Sequence, residues 1–247
     1  AESIASLLKV FSGYISDKYN KKKPIAFIGY ATGLIYKIAL IFAGSWVGIL
    51  AARIIDRFGK GIRTAPRDVM VSECAENGTV GKTFGIHKML DMAGSALGIL
   101  LAYLLFKNLG GDSYKTVFYV SLIPMVLALS MFLFIKENKE CRPAVVREPF
   151  WKNIKRLDGR LKLYLVIAFL FTLGNSSNTF LLLRATDVGF TSTDVILLYF
   201  VYNMVASVFA IPFGKYSDKV GRKRLLVIGY AVLLWFILCS ALPKARR

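Results

Sequence analysis

Ionisable side chains recur at helical spacing within two otherwise apolar stretches of the chain. In the first stretch, Arg53, Asp56 and Arg57 fall within about one helical turn, so they lie on neighbouring faces. In the second, His87 and Asp91 are four residues apart and share one face. An imidazole beside a carboxylate can exchange protons near neutral pH, so this pair is a candidate proton relay. The alternatives are a structural ion pair for Asp56 and an ordinary packing role for His87.

Amide side chains form a second candidate set. The run from Gly174 to Asn178 places Asn175 and Asn178 in the middle of an apolar segment, and Asn203 occupies a similar position in the next segment. Small and polar residues at this depth suit a cavity wall or an unwound stretch of helix that binds a solute. Hydrogen bonding between helices is an equally good interpretation of these amides.

The elements that must position these residues are membrane-spanning helices. The chain has 247 residues, 55% of them hydrophobic, and its mean hydropathy is +0.53, which is typical of a membrane protein. A helix needs ~20 mainly apolar residues to cross a bilayer, and only helices satisfy their own backbone there. We therefore predict an all-α, polytopic membrane protein. Its candidate spans are residues 4–15, 24–43, 46–65, 82–106, 117–135, 161–183, 195–213 and 225–242.

Charges inside such spans need partners, because each ionisable group at the bilayer centre costs at least ~2.5 kcal/mol on insertion scales. We therefore expect Asp56 to lie within salt-bridge reach of Arg53, Arg57, Lys60 or a charge in residues 82–106.

The formal net charge of +18 is explained by topology. Lys and Arg cluster in alternate connections, above all in residues 136–162, as the positive-inside rule requires of cytoplasmic loops. Nucleic-acid binding is therefore not needed to explain the charge. The three cysteines are scattered and lack metal-ligand spacing, so we predict no metal and no cofactor. Hydrolase, phosphate-loop and metalloprotease motifs are also lacking, which argues against an enzyme.

One motif occurs twice, about 200 residues apart, as an internal repeat of half a bundle would produce. Each copy has a glycine, then an aspartate four residues later, then a basic run. The first copy contains Gly13, Asp17, Lys18, Lys21 and Lys22; the second contains Gly214, Asp218, Lys219, Gly221, Arg222 and Lys223.

Both copies resemble the cytoplasmic loop signature of the major facilitator superfamily, written GxLaDrxGrk. The resemblance implies a helical bundle with two pseudo-symmetric halves, here incomplete and matching the family's second to ninth helices. It divides the chain into residues 1–135, a basic cytoplasmic linker at 136–160, and residues 161–247. The linker could be a helix lying at the lipid headgroups or an irregular, solvated basic segment.

The resemblance also implies secondary active transport of a small-molecule substrate across a lipid bilayer, by alternating access and with protons as coupling ion. Arg57 and Gly61 match the family's fourth-helix RxxxG motif, whose arginine is associated with proton coupling. The location implied is a bacterial or archaeal cytoplasmic membrane. A receptor or regulator on the same scaffold is the alternative function.

In the family, the signature aspartate meets the start of a helix from the opposite half and closes the cytoplasmic side. By this symmetry, Asp218 should contact the turn at residues 79–83 in a cytoplasmically closed structure. Asp17 should lack its partner, because the corresponding helix is not in the chain. Free N–H groups and the positive end of the dipole make a helix start a suitable site for a carboxylate.

Overall fold

The structure is a computed structural model that describes residues 8–9, 11–16, 22–76, 78–109, 114–134, 158–174 and 178–241. Regular structure within these ranges is entirely helical, which confirms the all-α prediction. The helices are α1 (Lys22–Phe42), α2 (Trp46–Glu73), α3 (Val80–Leu109), α4 (Tyr114–Phe134), α5 (Gly159–Gly174), α6 (Asn178–Asp187), α7 (Ser192–Val220) and α8 (Arg222–Ala241).

Four of the described helices are long and apolar enough to cross a membrane: Lys22–Phe42, Val80–Leu105, Lys115–Phe134 and Asp194–Val220. The sequence predicts eight spans, so only part of that set meets this criterion among the described residues. Helix α2 is long enough, at 28 residues. Its ionisable residues, including Arg53, Asp56 and Arg57, make it too polar to qualify by composition.

Two helices run further than their apolar segments. α2 continues through Pro66 to Glu73, and α7 continues through Pro212 to Val220. Proline removes one helical hydrogen bond and usually kinks a helix, yet here it does not end either one. Residues after Ala65 and Phe213, expected in loops, are therefore helical, and Asp218 lies in the last turn of α7.

Within the segment predicted at 161–183, the structure describes α5 up to Gly174 and α6 from Asn178. The suggestion of an unwound stretch between them stays a prediction. Asn175 itself lies outside the described residues.

Contacts group the chain into two compact units, residues 1–70 with 98–199 and residues 71–97 with 200–247. In the first unit, α1 packs along α4. Lys23 Nζ donates to the Leu133 carbonyl at 2.9 Å, and Lys37 Nζ donates to the Ser121 carbonyl at 2.8 Å. The Tyr30 and Phe132 rings meet between them, with centroids 5.4 Å apart. Lysines whose ammonium groups reach backbone carbonyls thus fasten this helix pair at two levels.

The second unit brings the first part of α3 against α7. Ser207 Oγ donates to the Met89 carbonyl at 3.0 Å. Further along, Gly85 faces Ala210, and Gly81 faces Gly214. Sequence repetition, rather than these contacts, is the basis for the division at residues 136–160, which stays a prediction.

Candidate functional site

The carboxylate of Asp218 caps the start of α3. Its Oδ1 accepts a hydrogen bond from the Gly81 amide at 2.7 Å, and its Oδ2 accepts one from the Lys82 amide at 2.8 Å. Thr83 N bonds the Thr79 carbonyl, so Gly81 and Lys82 are in the first turn, where amides have no partner within the helix. Both bonds are charge-assisted and lie at the positive end of the helix dipole. The predicted contact between Asp218 and residues 79–83 is present.

Helix α7 ends directly after this aspartate at a glycine that its backbone requires. Gly221 has φ of +95°, a conformation that costs other residues energy. Its amide bonds the Ser217 carbonyl at 3.0 Å, which closes the last turn of α7, and α8 begins at Arg222. The signature glycine therefore turns the chain so that the basic run starts a new helix.

Small residues allow the two backbones to approach closely enough for the cap. A Cβ added to Gly81 would lie 2.5 Å from the Gly214 carbonyl oxygen and 2.6 Å from Asp218 Oδ1. A Cβ on Gly85 would lie 2.7 Å from the Ala210 carbonyl oxygen. Gly81 and Gly85 were not among the residues predicted for this site. Their GxxxG spacing was the signal that could have found them.

The first copy of the signature is only partly described. Gly13 packs towards Ala65, and Ser12 Oγ donates to the Gly61 carbonyl at 3.1 Å. The helical residues 11–16 therefore lie against α2. Ser16 is 1% exposed, and its Oγ has no hydrogen-bond partner in the described ranges. Asp17, Lys18 and Lys21 lie outside those ranges, so the expectation for Asp17 stays untested.

The basic residues that follow each signature differ in their surroundings. Lys219, Arg222 and Lys223 are exposed, as expected of residues that anchor a cytoplasmic face. Lys22 is instead 8% exposed at the start of α1 and interacts with neighbouring groups. Its role is therefore more than that of a solvated charge.

The expected partner of Asp56 is not found. Within the described ranges, no ion pair of this carboxylate is found, whereas Arg67 pairs with Asp68 and Lys88 pairs with Asp91. The predicted pair between Asp56 and a neighbouring cation is therefore not confirmed. Helical spacing places the charged residues of α2 on one stripe, but side-chain rotamers decide which of them form ion pairs.

Two arginines further along α2 converge on one tyrosine of α1. The Arg63 guanidinium carbon lies 4.9 Å from the centroid of the Tyr30 ring. Arg67 donates from Nε and Nη2 to Asp68 Oδ1, at 3.1 and 2.9 Å. Burial alone would lower the pKa of Arg67, but the bonds and charge of Asp68, with a smaller contribution from Tyr30, outweigh it and raise that pKa. Arg67 is therefore a fixed charge, already paired.

The second candidate cluster is arranged differently from the relay expected. Asp91 forms an ion pair with Lys88, with Nζ and Oδ2 3.5 Å apart and both side chains about half exposed. His87 is half-buried on the same helix and interacts with neighbouring groups. Lys88 therefore adds a charge to this cluster, and the proton relay between His87 and Asp91 stays a prediction.

The amide candidates are placed unevenly. Asn203 is 2% exposed in the middle of α7 and has bonding partners. Asn178 is the first residue of α6. The role of these amides as solute ligands remains a prediction.

Residues 3–245 match the family profile of the Major Facilitator Superfamily. The chain is 39% identical to an uncharacterized MFS-type transporter of Methanocaldococcus jannaschii, over 94% of this chain and 58% of that protein. It is 25% identical to the fosmidomycin resistance protein of Escherichia coli, over 96% of this chain and 64% of that protein. It is 21% identical to a probable 4-methylmuconolactone transporter of Cupriavidus pinatubonensis, over 93% of this chain and 55% of that protein.

The chain thus spans less than two thirds of the length of these relatives. No solved structure matches it.

Proposed function

Because this chain belongs to the Major Facilitator Superfamily, we propose that the protein is a secondary active transporter that moves a small solute by alternating access. Its place is a cytoplasmic membrane, as the bacterial and archaeal origins of its relatives suggest. The names of those relatives include a drug-resistance protein and a lactone transporter, so they support an organic solute without fixing which one.

One observation carries the proposal: the carboxylate of Asp218 bonds two amides at the start of α3. α3 and α7 belong to opposite halves of the predicted repeat, so their contact can serve as the cytoplasmic latch of a closed state. The contact is partly exposed, and water can replace both bonds when the helices separate. Its contribution is then on the order of 1–3 kcal/mol, enough to bias two conformations without locking one.

Protons are the proposed coupling ion, with His87 and Asp91 as the groups that exchange them. The structure adds Lys88 to this cluster, because its ammonium lies 3.5 Å from Asp91. Arg57 has the position of the family's coupling arginine.

The test is solute flux in proteoliposomes of the full-length protein, with and without an imposed pH gradient. Wild-type flux should depend on the gradient, and His87→Gln or Asp91→Asn should flatten that dependence while insertion stays unchanged. Lys88→Gln is the matched variant on the same helix: it removes the charge that pairs with Asp91 but keeps His87 and Asp91 themselves. Unchanged pH profiles in all three variants would reduce the cluster to packing. Solute binding without flux would favour the receptor alternative.

A further inference from the structure

The guanidinium of Arg63 is a fixed charge without a described counter-ion. Across the described ranges, no carboxylate lies within salt-bridge distance of it, and the contact it makes is with the face of the Tyr30 ring. A ring face attracts the charge but leaves most of the five N–H donors of a guanidinium unused. The side chain is partly buried, where an unsatisfied charge is more costly than in water.

The position of this guanidinium is set by the helices around it. A Cβ on Gly29 would lie 2.7 Å from the Arg63 backbone nitrogen, so α1 and α2 are in tight contact at this level. A Cβ on Gly33 would lie 3.5 Å from Arg63 Nη1, which places the guanidinium over the glycine groove of α1. The Tyr30 ring beneath it packs against Phe132 of α4. A charge held in this way loses little further side-chain entropy when it binds a ligand.

The surrounding charge favours an anion. Asp68 already neutralises Arg67, one turn further along α2. Lys60, one turn before, is exposed and has no described ion-pair partner. Asp56 lies two turns before Arg63 and is outside salt-bridge distance of every described cation. Arg63 therefore lies over the ring with an exposed lysine one turn away along α2 and no described carboxylate within salt-bridge distance.

We propose that Arg63, held over Tyr30, binds an oxyanion of the phosphate class. The planar fork of a guanidinium matches two oxygens of such a group, and the charge-assisted bonds formed there are stronger than neutral ones. The phosphate can come from a solute or from a phospholipid headgroup. The site goes beyond the proposed transport function, because its occupancy can be measured without any flux.

Inorganic phosphate is the first probe, applied to the chain purified in a phosphate-free maltoside detergent. The midpoint of thermal unfolding should rise with phosphate concentration, relative to chloride at equal ionic strength, because a ligand of the folded state stabilises it. Arg63→Met should weaken the apparent affinity by about tenfold or more, and Arg63→Lys, which keeps the charge but not the fork, should retain part of it. Arg184→Gln removes an exposed arginine elsewhere and should behave as wild type.

Retention of phospholipid, measured by native mass spectrometry, separates the two sources. A phosphate response lost with Arg63 assigns the site to soluble oxyanions. Lipid retained by wild type and by Arg184→Gln, but lost in the Arg63 variants, assigns it to headgroups. If Arg63→Met does not fold, the comparison of Arg63→Lys with wild type decides. Equal phosphate responses and equal lipid retention in the Arg63 variants and wild type would overturn the proposal.

Discussion

Two helix pairs in this chain use glycines at the same four-residue spacing, and they use them for opposite purposes. On α1, Gly29 meets the backbone and Cβ of Arg63, whereas its neighbour Gly33 meets side-chain atoms, the methyl group of Met125 and the guanidinium of Arg63. On α3, Gly81 and Gly85 make a groove that the backbone of α7 occupies. The groove of α1 holds a charge in place, whereas that of α3 lets two helix ends come close enough for a carboxylate to cap an amide.

A third pair with this spacing, Gly94 and Gly98, meets no described atom within 4 Å of an added Cβ. Glycines at four-residue spacing therefore do not by themselves indicate whether a side chain, a backbone or no described atom fills the groove. What fills it decides the cost of adding a methyl group, and this gives a ranked set of tests.

The largest effect is expected at the backbone-filled groove. Gly81→Ala places a methyl group against the Gly214 carbonyl, which belongs to the backbone, and against the Asp218 carboxylate. We expect loss of the cap and a destabilisation of about 1–3 kcal/mol, as in other overpacked contacts. Thermal unfolding of the purified protein measures it. Gly94→Ala on the same helix is the control and should be neutral or slightly stabilising, because alanine favours helix. Equal stability in the two variants would contradict the close backbone contact between α3 and α7.

Removal of the capping charge should have a smaller and more local effect. In Asp218→Asn, the amide keeps one acceptor oxygen but loses the charge that strengthens both bonds. Hydrogen exchange at the Gly81 and Lys82 amides should therefore become faster, while amides in the middle of α3 keep their protection. Asp194→Asn serves as the matched variant, because Asp194 bonds only Thr191 of its own turn among the described contacts. Unchanged exchange at both amides in Asp218→Asn would show that the cap is not formed in solution.

The smallest effect is expected at Gly33 on α1, where a flexible side chain is the nearest neighbour, and Gly29 one turn away should differ from it. Gly29→Ala would bring a methyl group within 2.9 Å of the Arg63 Cα and should destabilise the protein. Gly33→Ala meets the Met125 methyl group, the end of a flexible side chain that can move aside, so a change within about 0.5 kcal/mol is expected. Thermal unfolding of both variants measures the difference. A greater loss of stability in Gly33→Ala than in Gly29→Ala would contradict this prediction.

Much of the fold could be predicted because the signal lies in short stretches of chain. Apolar runs of membrane length located most helices to within a few residues, since each such helix satisfies its own backbone. The extensions of α2 to Glu73 and of α7 to Val220 were missed, because both contain a proline and several charges that locally favour a loop. In the structure, Pro66 is almost completely buried. Packing at that point has outweighed the local preference.

In the candidate site, too, some contacts could be predicted from the sequence and others could not. The motif repeat, together with its family resemblance, predicted that Asp218 would meet residues 79–83, and this contact is present. The ion pair of Asp91 with Lys88 was not predicted, and the cation expected for Asp56 is not found among the described residues. Helical spacing restricts which side chains can meet, but rotamers and neighbouring helices choose among them.

By itself the sequence determined the helical class, the repeated signature, and the presence of a glycine shortly after the second signature aspartate. These follow from periodicity, charge and backbone conformation, which are properties of neighbouring residues. Only the tertiary structure decided that Arg63 lies over Tyr30 and that Gly81 meets Gly214. Both contacts join residues more than a helix apart in the chain. Their formation depends on which surfaces fit together once the helices have packed, and residue spacing within one helix does not specify that.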